Sequence, residues 1–172
     1  MRNNLARPHK QNDAHTVLYE LDMFRFAGKR LLRDQWEDEK DLWVNLECFL
    51  LHFRSLAEFL GKEEPHVQNT DVHVSNIWKR LGVPEPEDLP DIRKRGEGLW
   101  KAYERVQPRI SRYVAHPTTF RKQRKDWLVG TMSRELEPII ARVEKLLRLV
   151  GQSWAEEAPV TFNHDSANST AS

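Results

Sequence analysis

The chain has 172 residues, 39% of them apolar and 31% charged, with a net charge of +1. That length supports one ordinary hydrophobic core without metal or disulfide staples, and the composition excludes a disordered chain. Near-neutral charge gives no global case for a nucleic-acid binder, no stretch reaches the ~20 apolar residues that span a bilayer, and a single cysteine excludes an internal disulfide.

Residues 1–12 are polar, with Pro8 and three asparagines, and lack the apolar run of a secretory leader. They are expected to form a disordered arm on a cytoplasmic protein. Asp13 is placed to cap a first helix, in which Val17, Leu21, Phe24, Gly28 and Leu31 repeat on one face to about Arg33. After a charged turn, residues 42–60 (LWVNLECFLLHFRSLAEFL) carry Leu42, Leu46, Phe49, Leu50, Phe53, Leu56, Ala57 and Leu60 on one stripe. Cys48, Leu51 and Phe59 widen that surface, so this helix is expected to be the most buried, with Cys48 a small core residue. Gly61 is expected to end it in the left-handed conformation.

Pro65 marks a loop, residues 71–81 fit one short helix, and three prolines break 83–90. From Leu89, a near-heptad rhythm through Ile92, Gly96, Leu99, Tyr103, Val106, Ile110 and Tyr113 predicts one long helix to about Ala115. Gly96 in that stripe marks a close approach by a neighbouring helix. Pro108 then kinks the helix on its solvent side; the rival reading makes Pro108 the first residue of a separate helix. Pro117 stops the element. A basic turn precedes a last helix over about 126–150, with Leu128, Met132, Leu136, Ile139, Val143, Leu146 and Val150 as its stripe. Residues 156–172 are Ser-, Asn- and Thr-rich and read as a disordered tail. The expected fold is all-α, a bundle of four principal helices plus a short one, forming a single domain over 13–155.

Arg105, Arg109, Arg112 and His116 share one strip of the third long helix, and Arg121, Lys122, Arg124 and Lys125 follow it. Guanidiniums bind phosphate bidentately and an imidazole moves protons near neutral pH, so the set is a candidate nucleic-acid surface with Arg109, Arg112 and His116 as candidate catalytic groups. The bland alternative is a solvated basic face with His116 favoured by a helix C-terminus. His52, on the margin of the central stripe, reads as a histidine hydrogen-bonded across the bundle. Glu47, Arg54 and Glu58 lie on the other margin as structural polar residues, with Arg54 and Glu58 spaced as a surface pair. Only Asp71, His73, His52 and His116 could gather round a metal, and no Glu-x-x-His or His-x-x-x-His pair occurs. No metal or cofactor is therefore expected. Six tryptophans are many; Trp43, Trp78, Trp100 and Trp127 are expected at helix margins, anchoring the core or a partner.

Two stretches carry a resemblance. Leu46-Glu47-Cys48-Phe49-Leu50-Leu51-His52-Phe53-Arg54-Ser55-Leu56 resembles the "LESFLLHARNL" helix of a group of uncharacterised small bacterial helical proteins. Ile110-Ser111-Arg112-Tyr113-Val114-Ala115-His116-Pro117-Thr118-Thr119-Phe120-Arg121 resembles their "AHLTxxR" segment. The second stretch is also similar to the HEPN superfamily, helical bundles of toxin–antitoxin and phage-defence systems. Catalytic members carry an Arg, four to six residues, then a His, and cleave RNA without metal as dimers. Arg109 and His116 meet that spacing; Arg112 is one residue too close, and Ile110 stands where the superfamily has a polar residue. The resemblance implies a HEPN-like bundle that has lost, or never had, ribonuclease activity. The expected function is thus a non-catalytic interaction module, acting with a partner protein or RNA and dimeric through tryptophan-bearing faces. The alternative is a metal-independent endoribonuclease using the Arg/His pair.

Overall fold

The central apolar stripe becomes helix α2, Glu39–Gly61. Asp38 opens it, its side chain accepting from the Asp41 backbone N–H at 2.8 Å and satisfying one of the first turn's orphan donors. The computed structural model describes residues 13–62, 71–106, 108–110 and 127–151. Within them lie α1 (Asp13–Leu32), α2, the short α3 (Ile77–Leu81), α4 (Leu89–Tyr103) and α5 (Val129–Gly151), with no strand among the described residues. The protein is an all-α helical bundle.

The four long helices pack in the cyclic order α1, α2, α4, α5, and α2 also touches α5 across the middle. Each neighbour runs antiparallel to the last. Arg30 reaches Asp41 at 2.5 Å near one end of the α1–α2 seam, and Glu20 reaches His52 at 2.7 Å near the other. Tyr103 donates to Glu135 at 2.9 Å, while Arg142 pairs with Asp88 at 2.6 Å and Asp91 at 2.5 Å, which fixes α4 against α5. Arg25 bridges α1 to Glu137 and Glu144 of α5. The core collects most of the predicted stripes: Val17, Leu21 and Phe24 of α1; Phe49, Phe53 and Leu56 of α2; Ile92 and Leu99 of α4; Met132, Leu136, Ile139 and Val143 of α5, whereas Leu128, expected in the last stripe, precedes α5 and is 67% exposed.

Two expectations are corrected. Gly61 is not a left-handed cap but the last helical residue of α2, and the glycine with that conformation among the described residues is Gly82 (φ 73°), which ends α3. Gly61 is small because α4 crosses there: a Cβ on Gly61 would overlap the Gly96 carbonyl oxygen, and one on Gly96 would overlap that of Leu60. Gly96 thus does mark a close approach. The long helix over 89–115 is also interrupted. α4 stops at Tyr103, turns through 104–106, and is helical again at 108–110, where the Ile110 N–H donates to the Val106 carbonyl at 3.0 Å. Pro108 has no N–H for the Glu104 carbonyl and its ring crowds it, so the rival reading describes the chain. Ile110 is buried, so the new segment keeps its predecessor's face towards the core.

Candidate functional site

His52, one of three buried polar side chains among the described residues, sits in the α1–α2 seam. α1 and α2 present Glu20 and His52 to one another because each lies one position beyond its helix's core stripe, on the side facing the other. His52 is only 6% exposed, and its Nδ1 lies 2.7 Å from Glu20 Oε2. Cys48 precedes it by one turn and is half-buried; its Sγ lies 4.0 Å from the Met23 carbonyl oxygen. Tyr19 meets the imidazole edge-on, with centroids 5.7 Å apart. Burial, the largest influence, pulls the His52 pKa down. The Cys48 sulfur and the Glu20 carboxylate together outweigh it and raise it to about 9, so the ring is cationic at neutral pH.

On the outer side of this seam, apolar groups remain in solvent. Tyr19 and Phe26 of α1 are 57% and 56% exposed, and Val44 and Leu51 of α2 are 64% and 44% exposed. Each pair is spaced seven residues, about 10 Å along its helix. Because the helices are antiparallel, Tyr19 lies level with Leu51 and Phe26 level with Val44. The four mark the corners of one strip. The Arg30 guanidinium stands 5.8 Å from the centroid of the Phe26 ring at one end of it.

Elsewhere, α1 and α5 enclose a shallow cavity of about 300 Å³ over Phe24, Gly28 and Leu32, rimmed by Lys29, Arg33 and Ser133. Arg25 and Glu137 also line it, but they are paired with one another. Arg25 is held still more firmly protonated by Glu137, then Glu144, against burial.

The remaining predicted residues fall as follows. Arg54 Nε pairs with Glu58 Oε1 at 2.8 Å one turn along α2, and Glu47 is half-buried on the same helix. Arg105 and Arg109 are exposed around the 104–106 turn. Arg112, His116, Arg121, Lys122, Arg124 and Lys125 lie outside the described residues, as do the 1–12 arm and the 156–172 tail. The Arg109–His116 pairing therefore lies outside them too. Asp71 pairs with Lys62 at 3.1 Å, and His73 is buried with Nδ1 2.7 Å from Ser75 Oγ, both remote in sequence from the His52–Glu20 pair. No group of three metal-binding side chains gathers among the described residues. These four tryptophans turn inward: Trp78 is 1% exposed at the heart of α3, and Trp43, Trp100 and Trp127 pack half-buried against the core. The exposed aromatic surface belongs to Tyr19 and Phe26 instead. Glu20 and the outer strip escaped the sequence reading, although the seven-residue spacings 19/26 and 44/51 were visible in it.

No helix among the described residues is long and apolar enough to cross a membrane. No family model, curated protein or solved structure matches the chain.

Proposed function

We propose that the chain is a non-catalytic helical interaction module that associates with a second copy of itself through the outer face of α1 and α2. The exposed strip of Tyr19, Phe26, Val44 and Leu51 carries this reading. We read these four exposed side chains as one docking surface, because apolar groups gathered on one face of a folded domain mark a place where something binds. A helix pair with apolar groups two turns apart suits another helix pair of the same spacing, and this chain supplies one. A two-fold axis across the middle of the strip sets the Tyr19–Leu51 end of one copy against the Phe26–Val44 end of the other, apolar on apolar. The motif resemblance supports a HEPN-like bundle in a bacterial defence or toxin–antitoxin setting, with a partner protein or RNA engaged by the assembled pair.

One observation favours a second reading, a metal-independent endoribonuclease. Arg105 and Arg109 are both exposed, and a guanidinium in solvent is a bidentate donor suited to phosphate. In that reading His116 is the general acid/base, and Arg109 or Arg112 stabilises the pentavalent phosphate.

Light scattering after size exclusion, on the full chain and a Val44→Asp/Leu51→Asp variant, decides between them together with an RNA digest. A dimer that the variant reduces to a folded monomer is expected, with no cleavage of total RNA in EDTA. A wild-type monomer at the highest attainable concentration would overturn the self-association. Cleavage abolished by His116→Ala would replace the module with the nuclease.

A further inference from the structure

The cavity between α1 and α5 joins two features that packing alone does not ask of one place. Its floor is apolar: Phe24 and Gly28 form the base, and Leu32 stands at one end with 56% of its surface exposed. Gly28 has no side chain to cover that floor, and the residue across from it is small as well. Ser133 Oγ lies 3.7 Å from where a Cβ on Gly28 would stand. The rim, in contrast, is cationic. Lys29 and Arg33 are one helical turn apart on α1, both exposed, and line the same edge. Arg30, between them in sequence, turns to the other side of α1 and pairs with Asp41. Arg25, at the far end of the cavity, is neutralised by Glu137 and Glu144. Lys29 and Arg33 are thus the charges that face an entering ligand. α1 ends and α5 begins at this end of the bundle, so their dipoles offset one another and the side chains set the field.

We propose that this cavity binds a small anionic amphiphile, a medium-chain aliphatic carboxylate. The chain lies over Phe24, Gly28 and Leu32, and the carboxylate sits between Lys29 and Arg33. Arg33 offers a planar fork that a carboxylate meets with both oxygens, and Lys29 a point charge. An alkyl chain removes the floor and Leu32 from water without bringing a polar group that the floor cannot answer. The cavity's 300 Å³ is at the small end for ligand sites, and residues 25 to 33 span about 12 Å of helix, which suits one chain of about eight carbons. The site is on the α5 side of α1, whereas the strip read as the self-association surface is on the α2 side, so the two readings fail separately.

The test is calorimetric titration of the full chain with sodium octanoate, and in parallel with acetate and octylammonium. Saturable one-to-one binding of octanoate is expected, with a dissociation constant on the order of 1 mM or tighter for about ten heavy atoms in an open site. Acetate lacks the chain and octylammonium the anion, so each should bind at least about tenfold more weakly. Lys29→Gln/Arg33→Gln should weaken octanoate binding about tenfold, and Leu32→Glu, which sets a carboxylate at the open end, should abolish it. All three positions are exposed, and circular dichroism checks that the variants fold. Lys94→Gln/Lys101→Gln, on the exposed face of α4, removes the same charge and should leave the affinity unchanged. Co-sedimentation with phosphatidylcholine vesicles containing phosphatidylglycerol distinguishes a free carboxylate from a lipid surface. No saturation by octanoate up to about 10 mM overturns the proposal, and vesicle binding in that case makes the face a lipid contact instead. Equal affinity for octanoate and octylammonium overturns it too, as does wild-type affinity in folded Lys29→Gln/Arg33→Gln. So does an equal loss in the α4 control.

Discussion

Helix α2 meets its two neighbours on opposite terms. Against α4 it brings backbone to backbone at one end, with Gly61 and Gly96 leaving no room for a methyl group on either side, while at the other end Tyr103 meets Phe53 edge-on with centroids 4.8 Å apart. Against α1 it brings side chain to side chain: Phe24 stacks on Phe49 with centroids 5.0 Å apart, and Phe53 lies 6.3 Å from Phe24. At the α4 crossing the helix separation is set by main-chain atoms, which cannot change rotamer. At the α1 seam it is set by rings, whose spacing leaves width for a carboxylate, an imidazole and a sulfur. The buried His52 and its Glu20 partner stand at the α1 junction.

The crossing is where the comparison breaks most easily. Gly96→Ala drives a methyl into the Leu60 carbonyl, and Gly61→Ala drives one into that of Gly96. Neither obstacle is the end of a flexible side chain, so the helices themselves must separate and open the core beside them. Each change is expected to cost about 3 kcal/mol or more, the upper range for overpacking. Urea unfolding measures it. A wild-type midpoint in either variant would mean that α2 and α4 do not touch as described, and the contrast between the two junctions would go with it.

The wider seam should respond to pH instead. The folded-state pKa of His52, raised to about 9, lies above its ordinary 6.5. The proton is therefore bound more tightly in the folded chain than in the unfolded one. The stabilisation is complete below about pH 6.5 and is lost as pH rises through 9. Glu20→Gln removes the carboxylate while keeping the shape, and near pH 6.5 it should cost about 2 kcal/mol, as expected for a part-buried hydrogen bond to a charged group. The gap in thermal midpoint between wild type and variant should narrow steadily towards pH 10. A gap that stays constant, or widens, would show that the pair adds nothing as an ion pair.

These two junctions were not equally legible from the chain. The α2 stripe from Leu46 to Leu60 reads at once because one periodicity decides which face is buried, and Gly96 could be read as a close approach because it interrupts an otherwise apolar row. Gly61 misled because a glycine after a helical run has a common local explanation, and the tertiary one depends on which helix arrives. Pro108 misled for a different reason. Ile110 stays on the core side after the break, so the apolar rhythm is the same whether the helix is bent or interrupted. His52 stands out as a polar residue at the edge of an apolar stripe, but Glu20 does not. Its partnership depends on the register between α1 and α2, which no single-helix period encodes. The same holds for the outer strip, whose halves lie 25 residues apart at Tyr19 and Val44.

The smallest expected effect sharpens the contrast by a change of sign. Gly98 sits two residues beyond Gly96 on α4, on the exposed face, and a Cβ placed there meets nothing within 4 Å. No left-handed conformation is required, since its backbone is that of the surrounding helix. Glycine therefore brings only its excess of unfolded-state freedom, and alanine should stabilise the chain by about 0.5–1 kcal/mol. The urea midpoint should rise in Gly98→Ala and fall in Gly96→Ala, although the two substitutions add the same methyl group to the same helix. A fall at Gly98 would mean that the outer face of α4 is covered in solution, and the proposed self-association would then have to include α4 as well as α1 and α2.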